Sequence, residues 1–329
     1  MAVKEDYASG DAVTPALQNA NGNGTNEALT GFGITNTINS IPGQLTFGGD
    51  GSDGALTISS GTTNLTAGTW YQYSSIAITG TASISLASNG AGLSGTILIK
   101  CSGDCTISSS GASFNLADLG ADGGALGVGT AGGDGTAGGM TGQTAGVARV
   151  KGVKSTSGNA MNYPPSYYGA TFMSLNNKTN LSLGVFGPGS GGAGGNIGGT
   201  VSGGGGGSSA ITDGTDGVVQ GTTAQGTSGE GGKGGGAIYL EILGAFTFSG
   251  TIDVSGEDGG DASAGNAGGG GGGGAGVALI VVTGVVTDTG TKTVTGGAVG
   301  ALSGTGGNGG AGGVGQVLVV AVEDEGTLF

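Results

Sequence analysis

Short runs of Val, Ile and Leu recur along the chain, separated by stretches of Gly, Ser, Thr, Asn and Asp. Ile97-Leu98-Ile99, Ile238-Tyr239-Leu240, Leu279-Ile280-Val281-Val282 and Val317-Leu318-Val319-Val320 are the clearest. Each has strand length, is rich in aliphatic residues and is bounded by turn formers, which predicts a β-strand. No apolar periodicity of the helical kind persists, and Gly, Ser and Thr are poor helix formers, so helices are not expected.

The runs repeat. Setting Gly244 on Gly284, an offset of 40, also pairs Gly250 with Gly290, Thr251 with Thr291, Val254 with Val294, Ile242 with Val282 and Val277 with Val317. Each unit reads strand, turn, second strand, Gly, third strand, then a glycine-rich run. An earlier copy has its strands at Gly95–Lys100, Cys105–Ser108 and Phe114–Leu116, and Ile76–Leu86 is a shorter relative. A fixed period implies stacked units whose neighbours complete each other's core. The expected fold class is all-β, a repetitive β-solenoid or β-helix-like stack of short strands with glycine-rich segments. Four regions are expected: an N-terminal docking arm at 1–45, a first glycine-rich β-repeat region at 46–139, an insertion at 140–230, and C-terminal repeats of 40-residue period at 231–329.

Glycine sharpens this picture, with 85 of 329 residues against about 7% in ordinary chains. It loses the most conformational freedom on folding. Runs such as Gly203–Gly207 and Gly269–Gly274 therefore either stay loose or join an ordered backbone lattice. Lacking Cβ atoms, they can pack as polyglycine II helices, left-handed with three residues per turn. Their recurrence after each strand unit favours the packed layer.

Charge and chemistry narrow the function classes. Lys plus Arg is 8, Asp plus Glu is 22 and the net charge is −14. Apart from Arg149, Lys151 and Lys154 the cations are scattered, so nucleic acid is not an expected partner. There is no histidine, which removes the commonest general base and excludes Ser-His-Asp and Cys-His catalysis and histidine-bearing zinc sites. Asp213 with Asp216, Asp253 with Asp258, and Glu257 with Asp261 are the carboxylate pairs to weigh for glycan hydrolysis. All lie in Gly-rich turns, where such side chains bond to local backbone. The expectation is a non-enzyme without catalytic residues or cofactor. A structural calcium at Glu257–Asp261 or Asp213–Gly217 is the exception to weigh, although neither segment matches an EF-hand or a nonapeptide calcium repeat.

Cys101 and Cys105 flank the Ser102-Gly103-Asp104 turn and read either as a small disulfide or as two free thiols acting as small apolar groups. No 18-residue apolar stretch occurs, so no membrane span is expected. Met1–Tyr7 carries charges where a signal peptide would need an apolar core. The insertion holds the aromatic cluster Tyr163, Tyr167, Tyr168 and Phe172 around Pro164-Pro165. It reads as a partner or receptor contact, or as a local mini-core pinning the insertion down.

The segment Thr46–Thr63, with Tyr73–Gly80 and Gly95–Ile99, resembles glycine-rich proteins of phages and uncultured bacteria, and the resemblance covers residues 46–322. The glycine runs and intervening loops are also similar, more weakly, to the tip adhesins of T-even-type long tail fibres, whose glycine motifs pack as polyglycine II layers. The resemblance implies a structural or adhesive virion protein: a tail fibre, tip or capsid-decoration component. Its implied partners are copies of itself, as a trimer or polymer, other virion subunits and a host surface receptor. One alternative is a self-assembling bacterial or archaeal surface filament subunit, in which Val317–Val322 would add to a neighbour's sheet edge. The other is a polysaccharide depolymerase.

Overall fold

The computed structural model describes residues 47–87, 95–126 and 225–321, with single positions at Gly189, Gly191, Gly192, Gly195, Gly204, Gly207 and Thr215. Phe47–Phe329 is one compact unit, and the other, Met1–Thr46, lies outside the described residues.

Every regular element described is a short strand. Ala55–Ile58 (β1) and Thr62–Leu65 (β2) come first. Trp70–Tyr73 (β3), Ser75–Ile78 (β4) and Ser83–Leu86 (β5) form a layer, and Thr96–Cys101 (β6), Cys105–Ile107 (β7) and Ser113–Asn115 (β8) form the next. After Gln225–Thr227 (β9), a third layer holds Ala237–Ile242 (β10), Phe246–Phe248 (β11) and Thr251–Asp253 (β12). Ser263–Asn266 (β13) precedes the fourth layer of Val277–Val282 (β14), Val286–Asp288 (β15) and Thr291–Thr293 (β16), and Gln316–Ala321 (β17) closes the series.

Each layer gives one strand to each of three parallel sheets. The first sheet runs β3-β6-β10-β14-β17, the second β1-β4-β7-β11-β15 and the third β2-β5-β8-β12-β16. The connections within a layer are only a few residues long, so Gly and Thr at the corners set where the chain turns. Like side chains therefore stack in columns. Leu56, Ile76, Cys105, Phe246 and Val286 form one inward column of the second sheet. Ile84, Phe114 and Ile252 form one of the third, and all three sheets share a single core. Burial of each such side chain contributes about 1.5–3 kcal/mol, which is how layers of three- to six-residue strands hold together.

Both long apolar runs of the repeat pair as the 40-residue offset predicts: Ile242 lies beside Val282, Phe246 beside Val286 and Thr251 beside Thr291. The offset fails at the last strand. Val317 pairs with Ala278, not with Val277, and Val277 pairs with Gln316. A strand shifted by one residue turns every side chain to the other face. The observed register keeps Val317 and Val319 against the main core, with Leu318 and Val320 on the outer face. The residue is lost between Ala301 and Gly307: Ala262 N–H donates to Ala301, whereas Gly269 N–H already donates to Gly307.

The antiparallel pair of β13 and β9 was not evident from the apolar pattern, because Ser263-Ala264-Gly265-Asn266 lacks aliphatic alternation. No helix in the described residues is long and apolar enough to cross a membrane.

Candidate functional site

Glycine-rich tracts precede β10, β14 and β17, between the third sheet and the first. These tracts bond to one another at every third residue. Gly229, Gly232 and Gly235 donate to Gly268, Gly271 and Gly274, and Gly269, Gly272 and Ala275 donate in turn to Gly307, Gly310 and Gly313. The next residues along the same tract point elsewhere: Gly270 and Gly273 donate to Gly260 and Glu257 and accept from Gly300 and Gly297. Gly204 and Gly207 donate to Gly269 and Gly272 from a further side. Tract 268–276 is therefore surrounded by other tracts. A period of three is that of an extended left-handed helix with no internal hydrogen bonds, whose backbone groups must find partners in neighbours.

Close approach is the reason these positions are glycine. A Cβ on Gly270 would overlap the Glu230 carbonyl, and one on Gly273 the Lys233 carbonyl. Neither residue has a positive φ. The Cα hydrogens thus face carbonyl oxygens across the tracts, a recurring weak bond that adds to the N–H ladder.

Carboxylates edge this lattice. Asp258 Oδ1 accepts the Ala298 N–H at 2.6 Å and Asp261 Oδ1 the Ala301 N–H at 2.7 Å, each from the next layer. Glu257 Oε2 accepts the Lys233 N–H at 3.0 Å, and Asp253 Oδ1 accepts from the Ser255 N–H and hydroxyl. The described carboxylates weighed for glycan hydrolysis or calcium thus bond to backbone and neighbouring side chains. Among the described residues no Cys, Asp or Glu side chains converge as a metal-binding group. Asp213 and Asp216 lie outside the described residues.

Asp118, whose N–H donates to the Ser255 carbonyl, has φ 60°. Burial, then Glu257, Asp253 and Asp258, push its carboxyl up to about 6, against the pull of Lys233.

The outer face of the first sheet carries a second cluster around Leu98, Tyr239, Leu279 and Val281. Within it Lys100 Nζ lies 3.1 Å from Glu241 Oε2, both side chains being 6% exposed. Lys100 and Glu241 face each other across the β6–β10 register. The Tyr239 hydroxyl donates to Glu241 Oε1 at 2.7 Å, the Gly48 N–H donates to Oε2 at 3.0 Å, and the Lys100 ammonium lies over the Trp70 ring. The opposite charges at aligned strand positions were the available signal for this pair.

Cys101 ends β6 and Cys105 begins β7, and both are buried with free thiols. Cys101 Sγ lies 3.4 Å from the Gly103 carbonyl, a bond that closes the turn without a covalent link. Burial raises both thiols, Cys105 well above the ordinary value, which keeps them protonated and unreactive. Tyr163, Tyr167, Tyr168 and Phe172, proposed as partner or receptor contacts, lie outside the described residues, as does the arm at 1–45.

Comparison with family models, curated proteins and solved structures finds no match to this chain.

Proposed function

We propose that this chain is a non-enzymatic structural or adhesive subunit of an extracellular assembly, a virion fibre, tip or capsid-decoration component. On this reading the three sheets wind as a three-sided β-solenoid, and the glycine tracts form a polyglycine II-type block along one corner. The observation that carries it is the bonding of successive tracts at every third residue. A lattice of that kind supplies stiffness and no reactive side chains, which suits a scaffold that holds loops in place. Aromatic residues Tyr163, Tyr167, Tyr168 and Phe172 would then be contact residues for a receptor or a neighbouring subunit.

Mass spectrometry and electron microscopy of purified virus particles test the reading. The chain is expected as a stoichiometric particle component, and its absence from every particle preparation would overturn the proposal. One observation favours the surface-filament alternative: β17 forms the end of the first sheet and no described residue pairs with its other edge. Negative-stain images of the purified chain separate the two, because a filament subunit polymerises alone.

A further inference from the structure

Residues 47–54 belong to no strand of the three sheets, yet they follow a fixed course over the first sheet. Gly48 packs so closely that an added Cβ would meet the Leu243 side chain at 2.8 Å and the Cys101 carbonyl at 3.1 Å. One on Gly49 would meet Lys100 Cβ at 2.8 Å, and one on Gly51 would meet Ser102 and Ser74. The segment therefore crosses from the end of β10 over β6 to β3. Gly48, Gly49 and Gly51 have φ of 75°, 72° and 71°, a left-handed conformation that costs other residues energy. Glycine at these positions thus serves both the turn and the close approach.

The far end of the segment covers a sheet edge. β3 is the outermost strand of the first sheet on this side. The Gln72 N–H donates to Asp53 Oδ2 at 2.6 Å, the Asp53 N–H donates to the Gln72 carbonyl at 2.9 Å, and the Ser74 N–H donates to the Gly54 carbonyl at 2.8 Å. Ser52 and Tyr73 form an antiparallel bridge. A carboxylate and two peptide groups thus take the bonds that a further strand would make, which blocks edge-to-edge pairing.

The near end is tied to the buried ion pair. Gly48 is buried, and its N–H donates to Glu241 Oε2, the same oxygen that Lys100 reaches. An apolar pair at positions 100 and 241 could fill the outer face as well as the ions do. It would leave the Gly48 N–H without an acceptor, and a buried donor left unmade is costly. Beyond Phe47, the segment Gly48-Gly49-Asp50-Gly51-Ser52-Asp53-Gly54 has no apolar side chain to hold it on the sheet.

We propose that residues 47–54 are a detachable guard for the β3 edge, and that the Lys100–Glu241 pair is the lock that holds it down. The guard opens as one unit, so release at Gly48 bares the edge at Gln72 and Ser74. The pair's role is to set the guard in place and not to add to the stability of the stack. This inference does not depend on the assembly reading.

Native-state hydrogen exchange on the full chain tests it. In the unaltered chain the amides of Gly48, Asp53, Gln72 and Ser74 should share one opening free energy, lower than that of Thr251, whose N–H donates to Ala112 in the third sheet. Lys100→Met with Glu241→Leu removes the acceptor and keeps the outer face apolar. The four guard amides should then exchange about tenfold to a hundredfold faster, with Thr251 unchanged. Gly49→Ala leaves the ion pair intact and drives a Cβ toward Lys100 and Gln72. It should accelerate the same four amides, so the test does not rest on the double variant folding. Acceleration at Gly48 alone, unrelated opening energies among the four amides of the unaltered chain, or unchanged rates in the variants would each overturn the proposal. Acceleration that includes Thr251 would overturn it as well, because the pair would then support the whole stack. Particle imaging decides the virion reading separately.

Discussion

Lys292 lies one layer above Ile252 in the same inward column, where its ammonium reaches Asp288 in place of continuing the apolar core. The exchange of an isoleucine position for a lysine falls on the last described strand of the third sheet. Replacing the pair by apolar residues, Asp288→Val with Lys292→Ile, leaves the ends of the second and third sheets uncharged. Exposed apolar patches of this kind promote indiscriminate association. Dynamic light scattering should show aggregates larger than the species formed by the unaltered chain at the same concentration.

Glycines in the lattice and glycines in the turns are needed for different reasons, and alanine substitution separates them. Gly273→Ala drives a Cβ into the Lys233 carbonyl and should cost about 2–4 kcal/mol through overpacking and lost backbone bonds. Gly54 has φ +74° with open space around its Cβ position. Gly54→Ala there should cost only about 1–2 kcal/mol, the left-handed conformation alone. Urea unfolding midpoints check both. Amide exchange should accelerate at Gly297 and Gly312, the next links in the ladder, only in Gly273→Ala.

The Lys100–Glu241 pair should behave as a buried pair whose charges depend on each other. Lys100→Met alone strands Glu241 and should cost about 3–5 kcal/mol, whereas Lys100→Met with Glu241→Leu should be close to neutral. Thermal and chemical denaturation of the two single variants and the double variant measure the difference. Equal losses in the single and double variants would mean that the pair acts through packing alone.

Asp118 carries a pH dependence of defined sign. Its folded carboxyl is held at about 6, above about 3.9 in an unfolded chain. The folded state therefore binds the proton more tightly. Stability is expected to fall as pH rises from about 4 to about 6, and the penalty is fully present above that window. Asp118→Asn removes the charge and tolerates the φ of 60°. Because the group is half-exposed, solvent screening reduces the gain at pH 7 to about 1 kcal/mol. Unfolding midpoints at pH 4 and pH 7 should differ less in the variant than in the unaltered chain.

The strands around Ile97, Ile238, Leu279 and Val317 and the 40-residue stagger between Ile242 and Val282 were legible because they are local: aliphatic runs bounded by turn formers, repeated at fixed spacing. Glycine's fitness for close packing was legible for the same reason, since it follows from the missing Cβ. Only the tertiary structure decided which tract bonds to which, because glycine carries no side chain to mark a partner and every tract looks alike along the chain. It also decided the one-residue shift that sets Val317 beside Ala278, since register follows from which face meets the core. The Lys100–Glu241 contact likewise depends on bringing β6 beside β10 across a long intervening segment, a juxtaposition no local pattern specifies.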